Sequence, residues 1–149
     1  MSNKTNIWAR RKARRALVQA VYQWQLSGNS ITSVRADFAD TDALKKADVE
    51  FFEEVFRLVT SHLGDLDDTF SELLDRPAAQ LDHVERALLR LATAEFAHRM
   101  DIPYRVVINE YVELAKTFGA TDSHKYINGV LDKLAVQLRS IEVEAAARG

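Results

Sequence analysis

The sequence predicts an all-α chain of six to seven helices, and three observations carry that expectation. Only five glycines and two prolines occur in 149 residues, fewer turn residues than a sheet protein of this size needs. Apolar residues recur with the 3.6-residue period of a helix face in segment after segment. No stretch alternates apolar and polar residues with period two for long enough to make a strand. At 47% hydrophobic, the chain is not generally disordered, and it is long enough to bury a core as one domain or two small subdomains.

The elements follow in order. A first helix is expected from near Asn6, or a little later, to Leu26, before Ser27-Gly28-Asn29. Ala13, Leu17, Ala20, Val21 and Trp24 form its apolar stripe. Arg11, Arg15, Val18 and Tyr22 form the adjacent one, so Tyr22 shares a face with two arginines. Ser30 to about Ala39 is a short helix with Ile31, Val34 and Phe38 inward, and Asp40-Thr41-Asp42 opens a polar connection. From Ala47 a helix buries Phe51 or Phe52, Val55, Leu58, Val59 and His62 or Leu63, and Gly64 ends it. Asp65 to Asp75 carries Leu66, Phe70, Leu73 and Leu74, with Pro77 as the stop. Leu81 to Arg99 is the strongest core helix, its faces marked by Val84, Leu88, Leu91, Ala92, Glu95 and Phe96. Pro103 suits the first turn of the next helix, whose stripe is Val107, Tyr111, Leu114, Ala115 and Phe118, with Gly119 as a left-handed cap. Thr121 or Asp122 caps a last helix built on Ile127, Val130, Leu131, Leu134 and Leu138. Gly129 inside that helix costs about 1 kcal/mol against alanine, which suggests close approach of another backbone. The tail Glu142–Gly149 is expected to fray.

The formal net charge of −2 hides a split. Residues 1–36 carry Lys4, Arg10, Arg11, Lys12, Arg14, Arg15 and Arg35 and no acid, a head of +7. The other thirteen basic residues lie among all twenty-two acidic ones, a body of −9. Such a head points to a polyanionic partner, and the body to a basic one.

Catalytic chemistry finds little support. There is no cysteine, which excludes thiolate metal sites and cysteine nucleophiles and fits a reducing compartment. His62, His83, His98 and His124 have no partner histidine at i+3 or i+4, so no metal site is expected. No glycine-rich phosphate loop and no GxSxG occur, so neither a cofactor nor a catalytic residue is expected and the chain reads as a non-enzyme. No membrane span or secretion signal is expected, which makes the protein cytoplasmic. What remains is a binding surface. Single-stranded RNA is held by cations along its backbone and by flat side chains that stack on unpaired bases, and the first helix supplies both. Core packing is the better reading of Trp24, whereas for Tyr22 core packing and stacking stand level.

The segment ELAKTFGATDSHKYINGVLDK, Glu113–Lys133, sharpens the reading. Asp122, Tyr126, Gly129 and Lys133 line one edge of the last helix, and Thr121, Lys125, Asn128 and Asp132 line a wholly polar neighbouring edge. From spacing alone Asp122 is a plain cap and Tyr126 a half-buried ring. The segment resembles the signature of the NusB family of transcription antitermination factors. Ala13–Leu26 resembles that family's first helix, and Val84–Ala92 and Ile102–Glu110 resemble its middle.

The resemblance implies two packed helical bundles within a single domain, residues 1–77 and 78–140. It implies binding to the boxA RNA of ribosomal RNA leaders, together with ribosomal protein S10 (NusE). That pair joins the elongating RNA polymerase complex with other Nus factors and carries it past terminators. By similarity Arg10, Arg11, Lys12, Arg14 and Arg15 match the RNA-binding stretch, and Phe118, Asp122 and Tyr126 its RNA-facing edge. Tyr22, Glu85, Arg90 and Tyr104 match positions near the S10-facing surface. Tyr126 stands where the family commonly has phenylalanine, which keeps a ring and adds a hydroxyl. Residues 37–75 show little similarity. Some family members self-associate, so a homodimer stays open. Two alternatives also stand. One is an RNA-modifying enzyme, since NusB-like domains occur fused to ribosomal RNA cytosine methyltransferases; the missing cofactor loop and the short chain oppose it. The other is a general helical protein-interaction module.

Overall fold

The computed structural model describes residues 3–39 and 41–149, so Asp40 of the expected polar connection lies outside the described residues. Among them are eight α-helices, two short 3₁₀ turns and no strand. The class is as expected and the helix count is one above the expected range.

Helix α1 spans Asn3–Ser27, starting earlier than expected. Its inward face is built largely of small residues, with Ala13, Ala16, Leu17, Ala20 and Val21 all buried. Gly28 ends it at φ +66°, donating its N–H to the Trp24 carbonyl, a conformation glycine adopts at no steric cost. Helix α2 (Ile31–Ala39) buries Val34 and Phe38 but leaves Ile31 exposed, correcting one inward assignment. Ser30 caps it through its Oγ, which accepts from Ser33 N–H.

Asp48 caps α3 (Val49–Ser61) with a hydrogen bond from Phe51 N–H, and its own N–H donates to Ala9 of α1. Both Phe51 and Phe52 are buried. Phe38, Phe52 and Phe56 stack in series at about 6 Å between centroids. The helix breaks at His62 (φ −117°, ψ 25°), and Gly64 lies inside α4 (Leu63–Ser71) instead of ending α3. Helix α4 stops short of Leu73 and Leu74, which lie half-buried in the connection that follows.

A 3₁₀ turn, Ala78–Gln80, leads to α5 (His83–His98). Asp82 and Glu85 close a reciprocal capping box at its start, each side chain accepting the other's backbone N–H. Helix α5 is buried nearly all round, and α1, α3, α4, α6 and α7 all pack on it. Helix α6 spans Tyr104–Phe118, with Pro103 at its N-cap and not inside its first turn. Helix α7 spans Ser123–Leu138 and buries the stripe Ile127, Val130, Leu131 and Leu134. The tail forms a further helix, α8 (Ser140–Arg148), where fraying was expected.

Both glycine readings in this half need correction. Gly119 is extended (φ −86°, ψ 169°), not left-handed. Glycine is required there because a Cβ would stand 2.7 Å from the Ala115 carbonyl and 3.0 Å from Ser123 Cβ. At Gly129 a Cβ would meet nothing within 4 Å, so no other backbone among the described residues approaches it.

Two buried arginines tie separate helices together. Arg14 of α1 forks onto Glu95 of α5 at 2.9 and 2.8 Å, and the Tyr111 hydroxyl of α6 donates to the same carboxylate. Burial opposes the charge of Arg14, but Glu95's attraction and hydrogen bonds overcome it and raise its pKa above the usual arginine value. Burial, then the charge of Glu95, pushes the Tyr111 phenol well up. Arg139, between α7 and α8, donates to the carbonyls of Glu95, Phe96, Arg99 and Ile102. It thereby satisfies the otherwise unpaired Phe96 carbonyl in the last turn of α5 and the Ile102 carbonyl beyond it.

Candidate nucleic-acid interface

The candidate interface runs along the seam where α1 meets α6. A helix turns 100° per residue, so neighbouring cations on α1 leave in different directions. The five expected cations therefore have different fates. Arg11 and Arg15 are exposed, and Lys12 is half-buried. Arg10 turns toward α3, its guanidinium 4.8 Å from the Phe51 ring centroid and its Nε 3.6 Å from Asp48. Arg14 is 2% exposed and bound to Glu95, which removes it from the cations that a strand could reach.

Arg11 Nε donates to Glu110 Oε1 of α6 at 2.9 Å, and its guanidinium lies 5.2 Å from the ring of exposed Trp8. One turn on, Arg15 lies 5.7 Å from the Phe118 ring. These two arginines border a trough of about 440 Å³ that Asn109, Glu113 and Thr117 complete. Farther along the seam the lining turns apolar. Val18, Tyr22, Leu26, Phe38, Val84 and Phe118 bound a groove of about 730 Å³. The seam thus offers cations at one end and open ring faces at the other.

Asp122 takes a left-handed conformation (φ 69°), which aspartate tolerates better than most residues. Neither it nor Thr121 caps α7 through its side chain; Asp122 instead pairs with Lys125 at 3.3 Å. Tyr126 is half-buried. Its ring lies under Arg76, whose guanidinium carbon is 4.0 Å from the centroid. Its hydroxyl is buried without a hydrogen-bond partner. Burial raises the pKa of that phenol, Arg76 opposing it.

Of the four residues expected on a protein-facing surface, Tyr22, Glu85 and Arg90 gather around the first half of α5, and Tyr104 stands apart at the start of α6. Tyr22 is exposed and meets His83 edge-on at 6.3 Å. Glu85 is buried in the α5 capping box and accepts from Ser123 Oγ. Arg90 is buried too, forked onto Asp67 at 2.8 Å with a third bond to Gln25. Tyr104 sits at the far end of α6, its N–H held by Glu142 of α8. Both Glu85 and Arg90 are thus committed to internal bonds.

Sequence reasoning missed Trp8, Glu110 and Arg76 at this surface. The exposed face of α1 extends back to Trp8, and the i, i+3 spacing to Arg11 was the available signal. Nothing local pointed to Arg76, which reaches Tyr126 from fifty positions away in the chain.

The family model described as "NusB family" matches residues 11–136. The chain belongs to the NusB family. A transcription antitermination protein NusB of Alcanivorax borkumensis is 49% identical over 142 residues, 95% of each chain. Its counterpart in Azoarcus sp. is 52% identical, covering 93% of this chain and 90% of the relative. A solved T. maritima NusB structure superposes with a TM-score of 0.78 at 29% identity, covering 90% of this chain and 96% of that one. The family match therefore runs from Arg11 in α1 to Val136 near the end of α7 and covers Arg11, Arg15, Tyr22 and Phe118 of the seam. Among the described residues no group of three or more His, Cys, Asp or Glu side chains could hold a metal ion. None of the described helices is long and apolar enough to cross a membrane.

Proposed function

We propose that this chain is a transcription antitermination factor that grips boxA RNA along the α1–α6 seam and does so together with ribosomal protein S10. Relatives about half identical over nearly the whole chain are transcription antitermination proteins, and this supports the overall role. The observation that carries the RNA reading is the seam itself. Exposed Arg11 and Arg15 share one face of α1 with exposed Tyr22, and Phe118 lines the opposite wall. Cations follow the phosphates and rings take the unpaired bases. Guanidinium is suited to the task because it forks onto phosphate and also stacks on rings.

S10 docks beside Tyr22 and His83, where the ring surface of the groove ends. The acidic body of the chain steers this basic partner and orients it more than it adds affinity. The factor works in the cytoplasm, makes no bond of its own, and acts by joining RNA polymerase and its companion factors.

The test is a gel-shift titration with single-stranded boxA RNA and a scrambled control, with and without S10. Arg11→Ala/Arg15→Ala weakens boxA binding and flattens the salt dependence, by about 0.7 in log–log slope for each phosphate that is no longer neutralised. Unchanged affinity and slope in that double variant refute the assigned face.

A further inference from the structure

Arg76 lies in the connection between α4 and the 3₁₀ turn, outside the basic head. Its contact with Tyr126 is the closest arginine–ring approach among the described residues. At 4.0 Å the guanidinium touches the ring, yet the side chain stays 40% exposed. Its ion partner is the adjacent Asp75, itself 65% exposed, at 3.1 Å, an anchor of little strength in water. Arg76 is therefore held in place mainly by the ring beneath it and presents a cationic surface to solvent.

A second arginine–ring pair, Arg15 on Phe118, stands across the α6–α7 turn. That turn is compact, because Gly119 lets Ser123 close onto Ala115. The two pairs thus flank one short, tight turn.

The charges around Arg76 decide what it can receive. Asp75 neighbours it at 3.1 Å, and the charge of Glu85 reaches both the guanidinium and the Tyr126 hydroxyl. These two carboxylates disfavour a phosphate, whereas a nucleobase is neutral and flat and stacks on a guanidinium plane.

We propose that Arg76, backed by Tyr126, is a further RNA-contact residue on which an unpaired base of the bound strand stacks. This rests on the RNA-binding reading above. The pair works as a layered platform in which the phenol aligns the guanidinium and the guanidinium carries the base. Arg15 on Phe118 forms the matching platform across the turn, with its cation free for phosphate.

Fluorescence anisotropy with labelled single-stranded boxA RNA tests this in the full-length chain. Arg76→Ala weakens binding by about 5-fold or more, the low end of what unstacking one base costs. Arg76→Lys keeps the charge but removes the plane, and weakens binding by at least about 3-fold. Neither changes the salt slope, and neither lowers the thermal midpoint by more than about 4 °C, the worth of one exposed cation–ring contact. Wild-type affinity in Arg76→Lys, undiminished binding in Arg76→Ala, tighter binding in Arg76→Ala, or a slope flattened as for a phosphate-binding cation each overturns the proposal. Arg11→Ala/Arg15→Ala runs alongside. If that variant loses affinity and the Arg76 variants do not, only the Arg76 assignment falls. If the unmodified chain ignores RNA even with S10 present, both readings fall.

Discussion

Replacing Glu95 by glutamine removes one charge and almost no volume from the centre of the molecule. Glu95 is 0% exposed and Arg14 2%. In the native chain the carboxylate accepts two hydrogen bonds from Arg14 and one from Tyr111. Glutamine can accept at one oxygen only, and its amide points a donor at a donor. Arg14 then keeps its charge with no compensating anion and no water. Breaking a buried pair in this way costs about 3–5 kcal/mol. For a chain of this size about 2–4 °C of melting temperature accompanies each kcal/mol, so the midpoint falls by about 6–20 °C. Urea unfolding followed by circular dichroism measures the loss. The combined change Arg14→Met, Glu95→Leu and Tyr111→Phe removes all three polar groups together and stays within about 2 kcal/mol of the native chain. It also settles what Arg14 does. If Arg14 serves the core, the triple variant binds boxA RNA within about twofold of the native chain. A Glu95→Gln destabilisation under about 1 kcal/mol, or a triple variant that folds well but has lost RNA affinity, refutes this account.

Other outcomes follow from single interactions. Arg139→Met leaves the Phe96 and Ile102 carbonyls without a partner, while those of Glu95 and Arg99 keep a backbone N–H, and lowers stability by about 2 kcal/mol or more, read from the urea midpoint. Gly119→Ala forces a Cβ to within 2.7 Å of a backbone oxygen and destabilises. Gly129→Ala meets open space in a helix interior and stabilises by about 0.5–1 kcal/mol, so paired thermal melts give opposite signs. Burial, then repulsion from the stacked His62 and from Arg57, lowers the pKa of His98 against the pull of Asp65. The folded state thus binds that proton less readily than the unfolded chain. Its contribution to stability is full above the ordinary histidine pKa and is lost as pH falls through the lowered value. Urea midpoints at pH 8 and pH 5.5 should differ less in His98→Gln, and an equal difference counts against the assignment.

Periodicity made most of the fold legible, because helix faces repeat within a few residues. The stripes of α1, α3, α6 and α7 are the buried faces, and the long run of α5 was visible in the same way. Contacts between distant segments were not legible. The stacking of His62 on His98 at 4.5 Å joins the end of α3 to the end of α5, and no local spacing encodes it. Helix α8 escapes a reading by pattern because its alanines and charges carry little apolar periodicity. It is tied down instead by Glu142, which holds Tyr104 N–H and Arg139.

Arg14 shows where a clue was present and outweighed. It stands three residues before Leu17 and seven before Val21, both fully buried, so its spacing alone assigns it to the inward face. Membership of a cationic run drew it outward with Arg11 and Arg15. A buried arginine requires a buried anion, and the strongest core helix carried one, Glu95, among apolar residues, with Tyr111 on the apolar stripe of the next helix. Read together, an arginine, a glutamate and a tyrosine on three inward faces already specify how α1, α5 and α6 are mutually registered. That registry sets Arg15 opposite Phe118 and Arg11 opposite Glu110, since each lies on α1 or α6 within about one or two helical turns of the locked pair. The charge withheld from solvent at Arg14 thus fixes the geometry with which its neighbours meet solvent.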